Sequence, residues 1–227
     1  MDSAVMLLSG GLDSAVALEL ALREESPRKV HCFTIDYGQR NAIEIEYALG
    51  IAAGLSLGHT VLRVPTLGRT LCSPLTGHEG IVKGRSAEEA QRSASAYVPF
   101  RNAIFISLAA GLAESLTLLK VYTGIRQSVY NDTTDSFIYA MQQMIDRVKP
   151  LARITLCNPL MYISKKDTVR LAMQIGVNAA HTFTCYDPVN DGIEMCGRCD
   201  ACVQRLSAFR EAAYVDQGPY AAGTIVT

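Results

Sequence analysis

The chain has 227 residues, with 21 Lys+Arg against 22 Asp+Glu and a net charge of −1. That balance excludes a nucleic-acid coat, a polybasic membrane face and an acidic tail. Hydrophobic residues make up 49% and charged ones 19%, which excludes a disordered polymer and leaves a core large enough for one or two domains.

Residues 4–8 read as a buried strand running into the turn Ser9-Gly10-Gly11. Residues 13–23 are helical, with Ala15, Leu18 and Leu22 on one face. A second strand at 30–35 ends in Asp36-Tyr37-Gly38, a helix covers 43–53, and a third strand at 59–64 stops at Pro65. Residues 66–96 are rich in Gly, Ser, Thr and charge without a sustained period; a connection of that length is expected to be a functional lid or a mobile segment. The apolar run 103–115 predicts a buried helix. Then come a strand at 119–123, a helix at 135–148, a strand at 153–157 and a helix at 164–175. Ser164 and Asp167 pattern as a capping box, and Gly176 as the stop. The C-terminal stretch shows little apolar periodicity. Strands alternating with helices predict an α/β fold: a doubly wound parallel sheet covered on both faces, with its site at the carboxyl ends of the strands. No run reaches the ~20 apolar residues of a membrane span, and the start lacks a basic, apolar leader. The expectation is a cytoplasmic protein that meets neither membrane nor nucleic acid.

Of the seven cysteines, Cys32, Cys72 and Cys157 are scattered, whereas Cys185, Cys196, Cys199 and Cys202 crowd together as C-x10-C-x2-C-x2-C. Four thiolates can close a tetrahedral Zn²⁺ site that leaves no open position, so a structural role is expected. An iron–sulfur cluster, free thiols and a thiol-transfer role for one Cys are the alternatives. His31, His59, His78 and His181 form no ligand spacing.

Ser9-Gly10-Gly11-Leu12-Asp13-Ser14 lies between a strand and a helix. Glycines there let backbone approach a ligand, and a helix start offers free N–H groups to an anion. The string is neither a Walker loop nor a dinucleotide fingerprint. It resembles the SGGxDS signature of the PP-loop ATP pyrophosphatases. That resemblance implies that Leu8, Ser9, Gly10, Gly11, Leu12, Asp13 and Ser14 hold the pyrophosphate of ATP, and that Asp13 helps place Mg²⁺. Two further segments fall on the same sheet end. Asp36-Tyr37-Gly38-Gln39-Arg40 either borders a nucleotide or is a Gly turn with solvated charges. Arg101-Asn102 either meets an anion at a helix start or is capped ordinarily by Asn102.

LLSGGLDS at 7–14, DYGQR at 36–40, VPFRN at 98–102, NPLMYISKKD at 158–167 and TCY…CGRCDAC at 184–202 together resemble the 7-cyano-7-deazaguanine synthase (QueC) family. The resemblance implies a PP-loop domain at 1–180 and a zinc-binding segment at 181–227 packed on it, usually as a homodimer. It implies an ATP-dependent ligase that adenylates 7-carboxy-7-deazaguanine, adds ammonia and dehydrates the amide to the nitrile. Asp13, Ser14 and Arg101 are then the catalytic candidates, Tyr37, Gln39, Arg101 and Asn102 the substrate side, and Cys185, Cys196, Cys199 and Cys202 the metal ligands. Two departures stand out. Phe100 occupies the Gly of the family pattern V-P-G-R-N, and residues 128–136 replace D-[YF]-S-G-Y-P-D-C with only Asp135 in place. Diverged relatives of type IV CBASS antiphage operons resemble enzymes that couple the deazaguanine carboxylate to a protein's N-terminal amine, which is the alternative product. A tRNA-modifying PP-loop enzyme and a zinc-knuckle module on an inactive nucleotide-binding fold are the remaining readings; the neutral charge disfavours the first and the intact Ser9–Ser14 string the second.

Overall fold

Alternation along the first strand decides the layering. In β1 (Ala4–Leu7), Ala4 and Met6 turn to one face and Val5 to the other, each fully buried. β2 (Val30–Asp36) repeats the period of two: Val30 and Cys32 join Met6, while Phe33 and Ile35 join Val5. Strands buried on both faces belong inside a parallel sheet. The computed structural model, which describes residues 3–25, 30–77, 79–148 and 153–225, shows one. With β3 (His59–Arg63), β4 (Lys120–Tyr122) and β5 (Thr155–Cys157), the order is β3-β2-β1-β4-β5 and every pairing is parallel. His78 lies outside the described residues.

The helices in chain order are α1 (Leu12–Glu25), α2 (Ile43–Gly54), α3 (Pro65–Thr70), α4 (Ala87–Gln91), α5 (Arg101–Ser115), α6 (Asp135–Val148), α7 (Lys165–Ile175) and α8 (Asp200–Ala212). Val16 of α1, Ala48 of α2, Val169 of α7 and Phe209 of α8 pack on the Met6 face. Ile106 and Ala109 of α5 and Ile145 of α6 pack on the Val5 face. The chain runs outward from β1 to β3, then returns to β4 beside β1. That reversal opens a crevice at the carboxyl ends of β1 and β4.

Three expectations are sharpened here. The 66–96 segment carries α3, α4 and a 3₁₀ turn at Pro74–Thr76. It is anchored along the C-terminal segment by Arg85 to Asp200 at 2.7 Å and Lys83 to Asp187 at 2.5 Å. Capping rather than apolar period makes its helix: Ser86 Oγ accepts from Glu89 N–H, and the Glu89 carboxylate accepts from Ser86 N–H. The C-terminal stretch holds the 13-residue α8, hidden because its buried face carries Asp200 and Arg205 among small residues. Arg205 is wholly buried yet satisfied. It grips Asp216 in a fork at 2.6 and 2.9 Å and donates to Thr182, Thr184 and Ala179, tying both flanks of the cysteine-rich stretch together. At α7, Ser164 Oγ accepts from Asp167 N–H at 3.1 Å, but the Asp167 carboxylate takes the Ser164 hydroxyl rather than its backbone N–H, so only half of the capping box is present. Among the described residues, no helix is long and apolar enough to cross a membrane.

Candidate active site

The turn after β1 requires its first glycine. Gly10 has φ +81°, and a Cβ there would lie 2.1 Å from the Glu44 carbonyl of α2. The loop is cross-braced by its serines: their hydroxyls are 3.0 Å apart, Ser14 Oγ donates to the Gly11 carbonyl at 2.9 Å, and Gly11 N–H donates to Ser9 Oγ at 3.3 Å. Gly124, past β4, presses on this turn so closely that a Cβ would meet Ser14 Cα at 2.8 Å. These close approaches leave the free N–H groups at the start of α1 facing a cavity of about 390 Å³. That volume falls within the roughly 300–1,000 Å³ of small-molecule sites.

Ser9, Gly11, Leu12, Asp13, Ser14, Tyr37, Arg101 and Asn102 all line this cavity. Leu8, Gly10 and Gln39 do not. Leu8 is in the core, and Gly10 gives its carbonyl to Phe183 N–H at 2.9 Å. Gln39 corrects a substrate-side expectation: it is buried, accepts from Tyr37 N–H at 3.0 Å and donates to Glu44 at 3.3 Å. It supports Tyr37, which lines the cavity with Arg101 and feels its charge. Asn102 is not the cap of α5; its amide donates to the Asp132 carbonyl at 3.1 Å.

Sequence reasoning missed the residues that set the charge. Lys165 Nζ lies 2.7 Å from both carboxylate oxygens of Asp13, and Arg126 Nε, buried without a hydrogen-bond partner, lies 4.0 Å away. Burial pushes the Asp13 carboxyl upward, but Lys165 and Arg126 outweigh it and hold the acid below its usual range. Burial, with Arg126 adding to it, holds Lys165 below its usual range although Asp13 opposes. Two cationic side chains thus face one carboxylate beside a helix N-terminus, which suits a polyanion. Arg126 follows β4 and Lys165 opens the helix after β5. Their common signal was position at the carboxyl ends of strands; Lys165 also lies within the NPLMYISKKD motif, which by itself gave it no role.

Glu44 reaches the same cavity. Its carboxylate accepts from Asn41 at 2.7 Å. Burial raises it from 4.5 to about 7, against the pull of Arg101 and the amides of Gln39 and Asn41. An acid raised in the folded state binds more protons there than when unfolded. Its stabilising share is complete below the unfolded value and is lost as pH rises through the folded one. Stability should therefore fall between about pH 4.5 and 7, by about 1–2 kcal/mol because the group is partly open to the cavity. Glu44→Gln should flatten that fall in thermal melts at pH 5 and 8. Equal pH slopes in both proteins would contradict it.

Phe100 precedes α5 with φ +55° and is 71% exposed. The left-handed backbone explains why glycine suits this position, and Phe100 is not among the residues that line the cavity. Relief of roughly 1–2 kcal/mol of strain exceeds the roughly 0.4–1 kcal/mol of added chain freedom. Phe100→Gly should thus raise the melting temperature by about 1–4 °C with turnover unchanged. A lower melting temperature would refute the strain.

Cys185, Cys196, Cys199 and Cys202 are all buried, with their sulfurs within 4.8 Å of one another. Zinc–sulfur bonds of about 2.3 Å in a tetrahedron put sulfurs about 3.8 Å apart; Cys185 and Cys199 stand at 3.9 Å. Backbone N–H groups of Tyr186, Cys196 and Cys199 donate to the sulfurs of Cys199, Cys185 and Cys196 at 3.3–3.4 Å, as thiolate ligands require. The cluster can hold a metal ion.

The chain matches the family model described as "Queuosine biosynthesis protein QueC" over residues 3–213. It is 37% identical over 227 residues to the 7-cyano-7-deazaguanine synthase of Myxococcus xanthus, covering 96% of each chain. It is 36% identical over 222 residues to that of Syntrophus aciditrophicus, covering 94% of this chain and 95% of the relative. Among solved structures, an NH3-dependent NAD synthetase from Campylobacter jejuni superposes with a TM-score of 0.44 at 17% identity, over 78% of this chain and 65% of the other. With a nearly full-length family match and close relatives of the same length, the chain belongs to the QueC family of queuosine biosynthesis proteins and is an enzyme of the ATP-dependent ligase class.

Proposed function

We propose that this enzyme adenylates 7-carboxy-7-deazaguanine with ATP and passes the activated acyl group to nitrogen. With ammonia the product is the amide, which a second ATP activates for loss of AMP to the nitrile. The observation that carries this reading is the pairing of Lys165 and Arg126 around Asp13 at the start of α1, inside a cavity of small-molecule size. A carboxylate resists amines because its leaving group is poor; transfer of AMP supplies a good one. The α1 N–H groups with the Ser9 and Ser14 hydroxyls are placed to hold pyrophosphate oxygens, and the two cations to take up the charge that grows on them. Asp13 offers the carboxylate oxygens that would hold Mg²⁺, an ion that neutralises polyphosphate charge. The four buried cysteines are the Zn²⁺ ligands of this proposal, in a structural role, within a segment at 181–227 packed on the nucleotide-binding part at 1–180. A homodimer and a cytoplasmic setting complete it.

The departure at 128–136 favours a second reading. Ser128, Tyr130 and Thr133 line the cavity, and Thr133 Oγ1 knits the turn through Ser128 Oγ at 2.9 Å and the Tyr130 carbonyl at 2.8 Å. A wall rebuilt there suits a reaction that stops at an amide, with a protein N-terminal amine as acceptor. Incubation with ATP, ammonia and 7-carboxy-7-deazaguanine, followed by mass spectrometry, decides between them. A nitrile supports the first product. The acid's mass added only to a protein co-encoded with this enzyme supports the second. No AMP with that acid would overturn adenylation itself.

A further inference from the structure

The geometry points to Asp200 as the residue that reads the hydrogen-bond-donor edge of the deazaguanine base, an inference resting on the substrate proposed above. Asp200, the first residue of α8, is 4% exposed and lines the cavity. Its Oδ2 is fully engaged, accepting from Arg85 Nη1 and Ser95 Oγ at 2.7 Å each. Its Oδ1 is buried without a partner. Buried acceptors are almost always satisfied, because leaving one open forfeits its hydration. A buried carboxylate oxygen left without a partner, on a residue that lines the cavity and is held in place through its twin, is an acceptor that lacks its donor.

The cavity is thereby polarised. Lys165, Arg126 and the α1 N-terminus make one part fit for phosphates. Asp200 stands elsewhere, at the start of α8 and paired with Arg85 of the 66–96 segment, and its free carboxylate oxygen suits a hydrogen-bond donor rather than a phosphate or carboxylate. It selects a neutral group carrying N–H donors. A guanine-type base presents N1–H and its 2-amino group side by side. Adenine offers one amino group next to a ring-nitrogen acceptor, whose lone pair would oppose the carboxylate. In 7-carboxy-7-deazaguanine the carboxyl sits on the five-membered ring, across the base from the donor edge. Seating that edge on Asp200 points the reacting carboxyl away from the like charge of Asp200. Arg85 and Ser95 are positioning residues here, which gives the 66–96 segment a task at the site.

The test is calorimetry with 7-carboxy-7-deazaguanine and with its analogue lacking the 2-amino group, each in the presence of a non-hydrolysable ATP analogue. Wild type should bind the amino form roughly 10- to 100-fold more tightly. Asp200→Ala should bind both forms alike, at the weaker level, with the ATP analogue's affinity and the metal content unchanged. Asp200→Asn provides a second variant should the alanine form fail to fold. Equal affinity of wild type for both bases would overturn the assignment without any variant, and so would discrimination that persists in Asp200→Ala. Loss of ATP-analogue binding in that variant with discrimination intact would also overturn it, by moving Asp200 to adenine. Binding of neither base by wild type would overturn the substrate reading itself.

Discussion

Asp13→Ala is expected to lower AMP and pyrophosphate formation by at least about 10²–10³-fold, the cost of removing one placed electrostatic group from an active site, while the protein still folds. Asp13 stands in the first turn of α1 with Lys165 clasping both of its oxygens and Arg126 behind. Removing the carboxylate takes away the one anionic oxygen donor among these three side chains and leaves two cations facing each other. Asp13 is what opposes the downward shift of Lys165, so its loss drives Lys165 further toward the neutral amine. Both the oxygens proposed to hold Mg²⁺ and part of the positive charge disappear together. The stability cost should be about 1–3 kcal/mol, below that of a fully enclosed pair, because Asp13 and Lys165 keep 26% and 17% side-chain exposure. Asp13→Asn keeps the shape and removes the charge, so similar losses in the two variants assign the effect to charge. Pyrophosphate release and a thermal melt on the same samples measure both quantities. Turnover equal to wild type would remove Asp13 from the mechanism.

The Ser9–Ser14 string was legible because its constraint is local in sequence even where its cause is not. Gly10 must be glycine on account of α2, yet the residue announces itself. The cysteine spacing was legible for the same reason. Lys165 stands 152 residues from Asp13, so their pairing exists only after the sheet has brought the ends of β1 and β5 to one edge. α8 was missed because a buried face bearing Asp200 and Arg205 breaks the apolar stripe on which periodicity depends. Gln39 misled because an amide on a loop at the carboxyl edge reads as ligand-facing, whereas a buried Tyr37 N–H needs an acceptor. Phe100 shows a converse limit: composition warns of a bulky ring, but only the +55° φ and its exposure show backbone strain rather than a ligand contact.

Cys199→Ser is expected to empty the metal site and to lower the melting temperature by roughly 8–16 °C, corresponding to about 4 kcal/mol for a chain of this size. Cys199 is fully buried, and its sulfur sits 3.9 Å from that of Cys185 and accepts from Tyr186 N–H. It is also the N-cap residue of α8. Serine is a good N-cap, so the substitution spares the helix start and the loss reports on the sulfur. Structural zinc sites in small folds hold their surroundings by the binding energy itself. Here the surroundings include Asp200, the next residue, and through α8 the Arg205–Asp216 fork. Metal analysis of the purified variant should show well under one ion per chain, and a strong chelator should bring wild type to the same melting temperature. Chelated wild type and untreated variant should then melt together, because both lack the same tetrahedral anchor. Full metal content in Cys199→Ser would take Cys199 out of the ligand set. An unchanged melting temperature after the metal is gone would show that the apolar contacts of Phe183 and Met195 around the cluster hold this segment without it.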